Sequence, residues 1–137
     1  MKRNRIFFSF FLLLLLGAGC SKHSSPGKVK RLISKGQWEI SSIFINSQDI
    51  TPEFEGVEFI FRDNGNIDIT GSTGITGRWS TSAESNPTRL ELVVTPIYPF
   101  YELNADWTFT TCTKDQMEVE VNTGSVVNSM ILRKVGM

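Results

Sequence analysis

Few residues in this chain could do chemistry on a substrate. A Ser or Cys nucleophile needs a histidine base within reach, and the 137 residues hold one histidine, His23, close to the start of the chain. Zinc needs clustered His and Cys ligands, yet Cys20 and Cys112 stand far apart. Asp63, Asn64, Asn66 and Asp68 have the oxygen content of a calcium loop. The later bidentate glutamate of such a loop is missing, so a hairpin turn at Asn64-Gly65 is the expectation. Glu118 and Glu120 alternate with apolar residues, and Glu53 and Glu55 lie in a polar link. They read as solvated charges rather than as an acid–base pair, which needs a shared site. No glycine-rich phosphate loop opens a helix. No catalytic residue, metal site or cofactor is expected, and the chain is not read as an enzyme.

One residue type stands where a modification would use it. Lys2, Arg3 and Arg5 precede an apolar run from Ile6 to Leu16, and Gly17-Ala18-Gly19-Cys20 follows. The run is too short for a membrane-spanning helix, which needs about 20 residues; it fits the h-region of a signal peptide. Small residues directly before a cysteine resemble the lipobox of bacterial lipoproteins. Gly17 stands where that family usually has leucine. The resemblance implies cleavage before Cys20 and a lipid on its sulfur. Residues 1–19 are then a signal peptide, 20–35 a lipid-anchored polar tether, and 36–135 the folded domain. A flexible stretch of this length spans roughly 20 Å, so the domain stands just off a membrane. The expected location is the cell envelope, on the periplasmic side of the outer membrane.

Composition narrows the rest. The whole chain balances 14 bases against 14 acids, and the first 19 residues take three of the bases. A mildly acidic remainder gives no electrostatic footprint for nucleic acid. Its length suits one domain with one core. With Cys20 acylated no intramolecular disulfide is possible, and a single thiol such as Cys112 in an oxidising compartment is safest buried in the core.

From Gln37 onward the pattern has period two, the signature of strands. Val57, Phe59 and Phe61 share a face, as do Ile67 and Ile69, Ile75 and Trp79, and Leu90, Leu92 and Val94. Trp107 and Phe109 point inward, which places Thr108, Thr110 and Cys112 on the opposite face. Met117, Val119 and Val121 form the next apolar set, and Met130 and Leu132 the last. The first strand changes phase after Ile40, so a bulge is expected near Ser41-Ser42. Asn64-Gly65 predicts a type I′ hairpin, and Gly77 inside a strand predicts a bulge or bend. "VKRLISK" and "TPEF" supply one or two helical turns. The expected fold is all-β: an eight-stranded antiparallel up-and-down meander with a short N-terminal helical turn, closed on itself to hide its edges.

Gly36-Gln37-Trp38 at the head of the first strand resembles the Gly-x-Trp of lipocalins. "FEGVEFIFRDNGNI", "GITGRWS", a Leu-rich strand, a Trp-led strand and a last strand ending in bases are similar to the lipocalin-like domain of small Bacteroidetes lipoproteins. In lipocalins the tryptophan packs across the closed end and a basic residue of the last strand lies over it. The resemblance implies Gly36, Trp38 and Arg133 for this device, with Lys134 as the alternative to Arg133.

Two roles follow as expectations. One is binding of a small hydrophobic molecule, or of an envelope component at the open end. The other is a structural or inhibitory protein-binding module with a filled core. Candidate contact residues are Phe59, Phe61, Trp79 and Trp107 inside, with Tyr98, Phe100 and Tyr101 in "TPIYPFYEL". That loop, with two prolines and three aromatics, is either a lid or a plug folded onto the barrel end.

Overall fold

The computed structural model describes residues 25–82 and 87–136. The signal segment, Cys20 and His23 lie outside the described residues. Among the described residues, nine strands form one antiparallel sheet: β1 (Trp38–Ile45), β2 (Gln48–Asp49), β3 (Glu58–Phe61), β4 (Asn66–Thr70), β5 (Gly77–Thr81), β6 (Arg89–Val94), β7 (Ala105–Cys112), β8 (Gln116–Asn122) and β9 (Val127–Lys134). Each strand from β3 onward pairs with the next, and β9 returns to pair with β1. The closed barrel therefore has eight strands, as the periodicity predicts, with β2 as a short extra ribbon on β1. Closure removes the exposed edges that an open sheet would present.

The register fixes two ends. Trp38 opposes both Phe59 and Lys134, so the start of β1 and the end of β9 meet at one end, called here the near end. The 62–65 and 113–115 turns share it, since the strands alternate direction. The 71–76, 95–104 and 123–126 links lie at the far end.

A helix, α1 (Pro26–Ile33), closes the near end. Ser25 caps it by accepting a hydrogen bond from the Lys28 N–H, and proline opens its first turn, where a missing N–H costs nothing. Val29 and Ile33, four apart on one face, are fully buried. Gly36 (φ +81°) then turns the chain into β1. The polar stretch expected as a tether up to residue 35 is thus largely this docked helix, because Val29 and Ile33 bury better than they solvate.

Beside β1 the barrel wall is patched rather than paired. Only Trp38 and Glu39 pair with β3, and only Phe44 and Ile45 with β2. Between them sits a 3-10 turn, Thr51–Phe54. The Thr51 hydroxyl accepts from the Ile43 N–H at 2.9 Å, and the Ile50 N–H donates to the Ile43 carbonyl at 3.0 Å. Hydrogen bonds from the Thr51 hydroxyl and N–H hold the exposed Asp49 carboxyl below its usual range. Backbone groups that lack a strand partner find side-chain ones.

Local geometry bears out one expectation and corrects three. The bulge near Ser41 is present, as a register shift between Ile40 and Ser42. The Asn64-Gly65 turn is not type I′, since only Gly65 has positive φ. The Gly65 N–H donates to the Arg62 carbonyl and the Arg62 N–H to the Asn66 carbonyl, the pattern of a tight turn followed by a glycine bulge. The left-handed pair occurs instead at Asn46 (φ 51°) and Ser47 (φ 66°), joining β1 to β2. Cys112 is inward, fully buried opposite Met117. A register shift between Phe109 and Thr111 reverses the alternation that puts it outside. Gly77 makes no bulge; a Cβ there would meet Ile67 Cδ1 at 3.2 Å, so close approach of β4 explains it.

Candidate functional site

The inward faces form a single core from Val29 to Leu132. Phe59, Phe61, Trp79 and Trp107, the interior contact candidates, are all buried. Phe61 meets Trp79 edge-on with ring centroids 5.8 Å apart, and stacks on Phe59 at 6.4 Å. The void that Phe59 and Phe61 line, bounded also by Ile40, Leu92, Leu103 and Met130, is ≈ 10 Å³. A single water needs about that much room, and polar partners as well. A drug-sized pocket runs to about 300 Å³ or more. The interior is a packed core, as eight-stranded barrels allow.

Three indole N–H groups tie this core to the segments that close it. Trp38 Nε1 donates to the Ile33 carbonyl at the end of α1, 2.9 Å away. Trp79 Nε1 donates to the Arg62 carbonyl in the β3–β4 turn at 2.8 Å. Trp107 Nε1 donates to the Leu103 carbonyl at the far end at 3.0 Å. Each buried indole packs its ring inward and spends its one polar atom on a carbonyl at or just beyond the end of an element.

At the near end Lys134, not Arg133, lies over Trp38, its Nζ 5.1 Å from the ring. Pairing decides the choice. Lys134 is directly opposite Trp38, whereas Arg133 is opposite Glu39 on the outer face and donates to Gln116 at 3.2 Å. The Lys134 stem also covers Gly36, where a Cβ would approach its Cε to 3.3 Å. Gly36, Trp38 and Lys134 are thus one closing contact, with an ammonium over an indole face.

The far end is closed by one loop with two faces. After β6 the chain passes Thr95 to Pro99 and makes a 3-10 turn, Phe100–Leu103. Phe100 and Leu103 are buried, and Phe100 meets Phe54 edge-on at 5.5 Å. Ile97 (56% exposed), Tyr98 (50%) and Tyr101 (45%) face outward. The plug expected of "TPIYPFYEL" therefore exists for Phe100, while the two tyrosines form a surface with rings 5.8 Å apart. Hydrogen bonding and charge from Glu102 raise the Tyr101 phenol above its ordinary value, so it stays protonated at neutral pH.

Asn104 holds the loop's base. Its Oδ1 accepts from the Val94 N–H at 2.6 Å, and its Nδ2 donates to the Val94 carbonyl at 3.0 Å. The side-chain amide thereby imitates a strand residue opposite Val94. Period-two reading misses Asn104, because a polar residue after a loop looks like any link. Beside the loop an open outer groove of about 670 Å³ runs over Gly77, between Asn66, Arg78, Val93 and Pro96. It exists because β4 and β5 pair only at residues 66–67 and then separate. Val93, exposed at its rim, extends the apolar surface.

Among the described residues no group of three His, Cys, Asp or Glu side chains is placed to hold a metal, and no helix is long and apolar enough to cross a membrane. Comparison of the chain with family models, with curated proteins and with solved structures gives no match.

Proposed function

We propose that this chain is a lipid-anchored envelope protein of lipocalin-like form, and that it binds a protein of the envelope through the outer surface of its far end. One observation carries the choice of surface. The void among Phe59, Phe61, Leu92 and Met130 inside the barrel is ≈ 10 Å³, while Ile97, Tyr98 and Tyr101 stand exposed on the loop that plugs the far end. A hydrophobic molecule entering past this loop would have to expel Phe100 and Leu103 from the core. Tyrosines that present a rigid ring and a wet hydroxyl are the residue type enriched where proteins meet. The anchor belongs at the other end, where α1 leads back towards Cys20, so the far end faces away from the membrane. Support for the anchor is the lipobox-like Gly17-Ala18-Gly19-Cys20.

The test is photo-crosslinking in the native envelope, with a photoreactive residue at Tyr98 or, separately, at Lys114 in a near-end turn. A discrete protein adduct from position 98, lost when Tyr101→Arg is added, is expected. Equal adducts from both positions, or none from position 98, would remove the proposal. Fatty-acid labelling tests the anchor separately: undiminished label in Cys20→Ser would disprove it.

A further inference from the structure

The two ends of the barrel carry opposite charge. Among the described residues, the near-end segments (25–37, 62–65, 87–88, 113–115 and 133–136) contain eight Lys or Arg residues against two acids, Asp63 and Asp115. The far-end segments (45–50, 71–76, 95–104 and 123–126) contain no Lys or Arg and two acids, Asp49 and Glu102, and the 51–57 stretch that patches the wall beside β1 adds Glu53 and Glu55. Linear sequence hides this, because the near-end bases come from four separate links. Antiparallel alternation gathers them. Of these eight, only Arg62 is in an ion pair among the described residues, with Asp68. Lys30, Arg31, Lys35, Lys114 and Arg133 are exposed.

From this polarity we infer that the near end is a docking surface for an anionic phospholipid membrane, seated by Lys28, Lys30, Arg31, Lys35 and Lys114. α1 is built for that place. Val29 and Ile33 fix it to the barrel, so its bases are held on a rigid body and lose little freedom on docking. Each Lys or Arg near an anionic surface contributes about 1 kcal/mol, roughly a five-fold gain in partitioning. The acidic far end is repelled by the same surface, so charge orients the domain as well as attracting it. A lipid on Cys20 would act at the same end, five residues before Ser25, and the basic patch would add attraction to anionic headgroups to the anchoring that its acyl chains supply. The inference rests on the proposed function only for that cooperation; the charge pattern stands without it.

The experiment uses the chain from Ser21 to Met137, which contains every core side chain from Val29 to Leu132 and no lipid site. Its co-sedimentation is measured with phosphatidylcholine vesicles, with and without phosphatidylglycerol. Binding that requires phosphatidylglycerol is expected, and it should fade as salt rises from about 0.05 to 0.5 M, over which screening shortens from roughly 14 to 4 Å. The triple variant Lys28→Gln, Lys30→Gln, Arg31→Gln should bind roughly 20- to 100-fold more weakly. Circular dichroism checks its fold, and Lys114→Gln, in a turn far from α1 in sequence, gives an independent loss of about five-fold. Equal binding to both vesicle types, or unchanged binding by both variants, overturns the inference. Neither result bears on Cys20, whose acylation is read by labelling.

Discussion

Asn104→Ala removes the two hydrogen bonds that close the base of the far-end loop. The bonds are 2.6 and 3.0 Å long, to the N–H and carbonyl of Val94. Each contributes about 1 kcal/mol net, and water can reach part of the vacated site, so the expected loss is about 2 kcal/mol. For a domain of this size that lowers the melting temperature by roughly 8 °C. Total stability is typically 5–15 kcal/mol, so the variant still folds. Urea denaturation reads the loss as a lower midpoint with unchanged slope, since little surface changes. Hydrogen exchange should show faster exchange at Tyr101 and Asn104 than at Phe109 or Val119. Asn104→Asp sharpens the test. Its ionised carboxylate still accepts from the Val94 N–H but opposes the Val94 carbonyl with a second oxygen. Protonation restores a donor, so folding raises that carboxyl's pKa above its unfolded value of about 3.9. The penalty is full above the folded pKa and shrinks as pH falls below it. An Asn104→Ala loss under about 0.5 kcal/mol, smaller than one ordinary hydrogen bond, would refute the clamp.

Other consequences are as direct. Gly71 (φ +85°) would set a Cβ 2.1 Å from the Gly56 carbonyl oxygen, whereas Gly74 (φ +74°) has open space. Gly71→Ala should therefore cost at least about 2 kcal/mol more than Gly74→Ala in denaturant melts, the shared strain being about 1–2 kcal/mol; equal costs would count against the close approach. A double-mutant cycle between Trp38 and Lys134 should give coupling of about 0.5–2 kcal/mol, and one between Trp38 and Arg133 none. Cys112 is fully buried, so a thiol reagent should label it only at the rate of global unfolding; fast labelling of the native protein contradicts its place in the core.

Much of the barrel was legible in the residues because alternation follows from strand geometry. Leu90, Leu92 and Val94 in β6, and Met117 and Val119 in β8, are inward as their spacing requires. Alternation fails where the chain gains a residue. The shift after Phe109 turns Cys112 inward, and nothing in "TFTTC" marks where that residue is absorbed. Which base covers Trp38 likewise depended on register, a long-range property set by pairing β1 with β9. The loop "TPIYPFYEL" was legible as apolar, but its division into inward Phe100 and outward Tyr98 and Tyr101 depends on the 3-10 turn. The polarity of the ends was invisible for a further reason: charge adds in space, and only the topology says which links are neighbours.

Native mass spectrometry of the protein purified from its own envelope in mild detergent tests most directly whether the barrel is solid. With ≈ 10 Å³ left among Phe59, Phe61, Leu92 and Met130, the chain should show its covalent mass with no small molecule retained, and any complex should be with a protein. A non-covalently bound hydrophobic molecule, retained by wild type and lost when Leu92→Trp fills the barrel, would contradict the packed interior and return the function to ligand carriage.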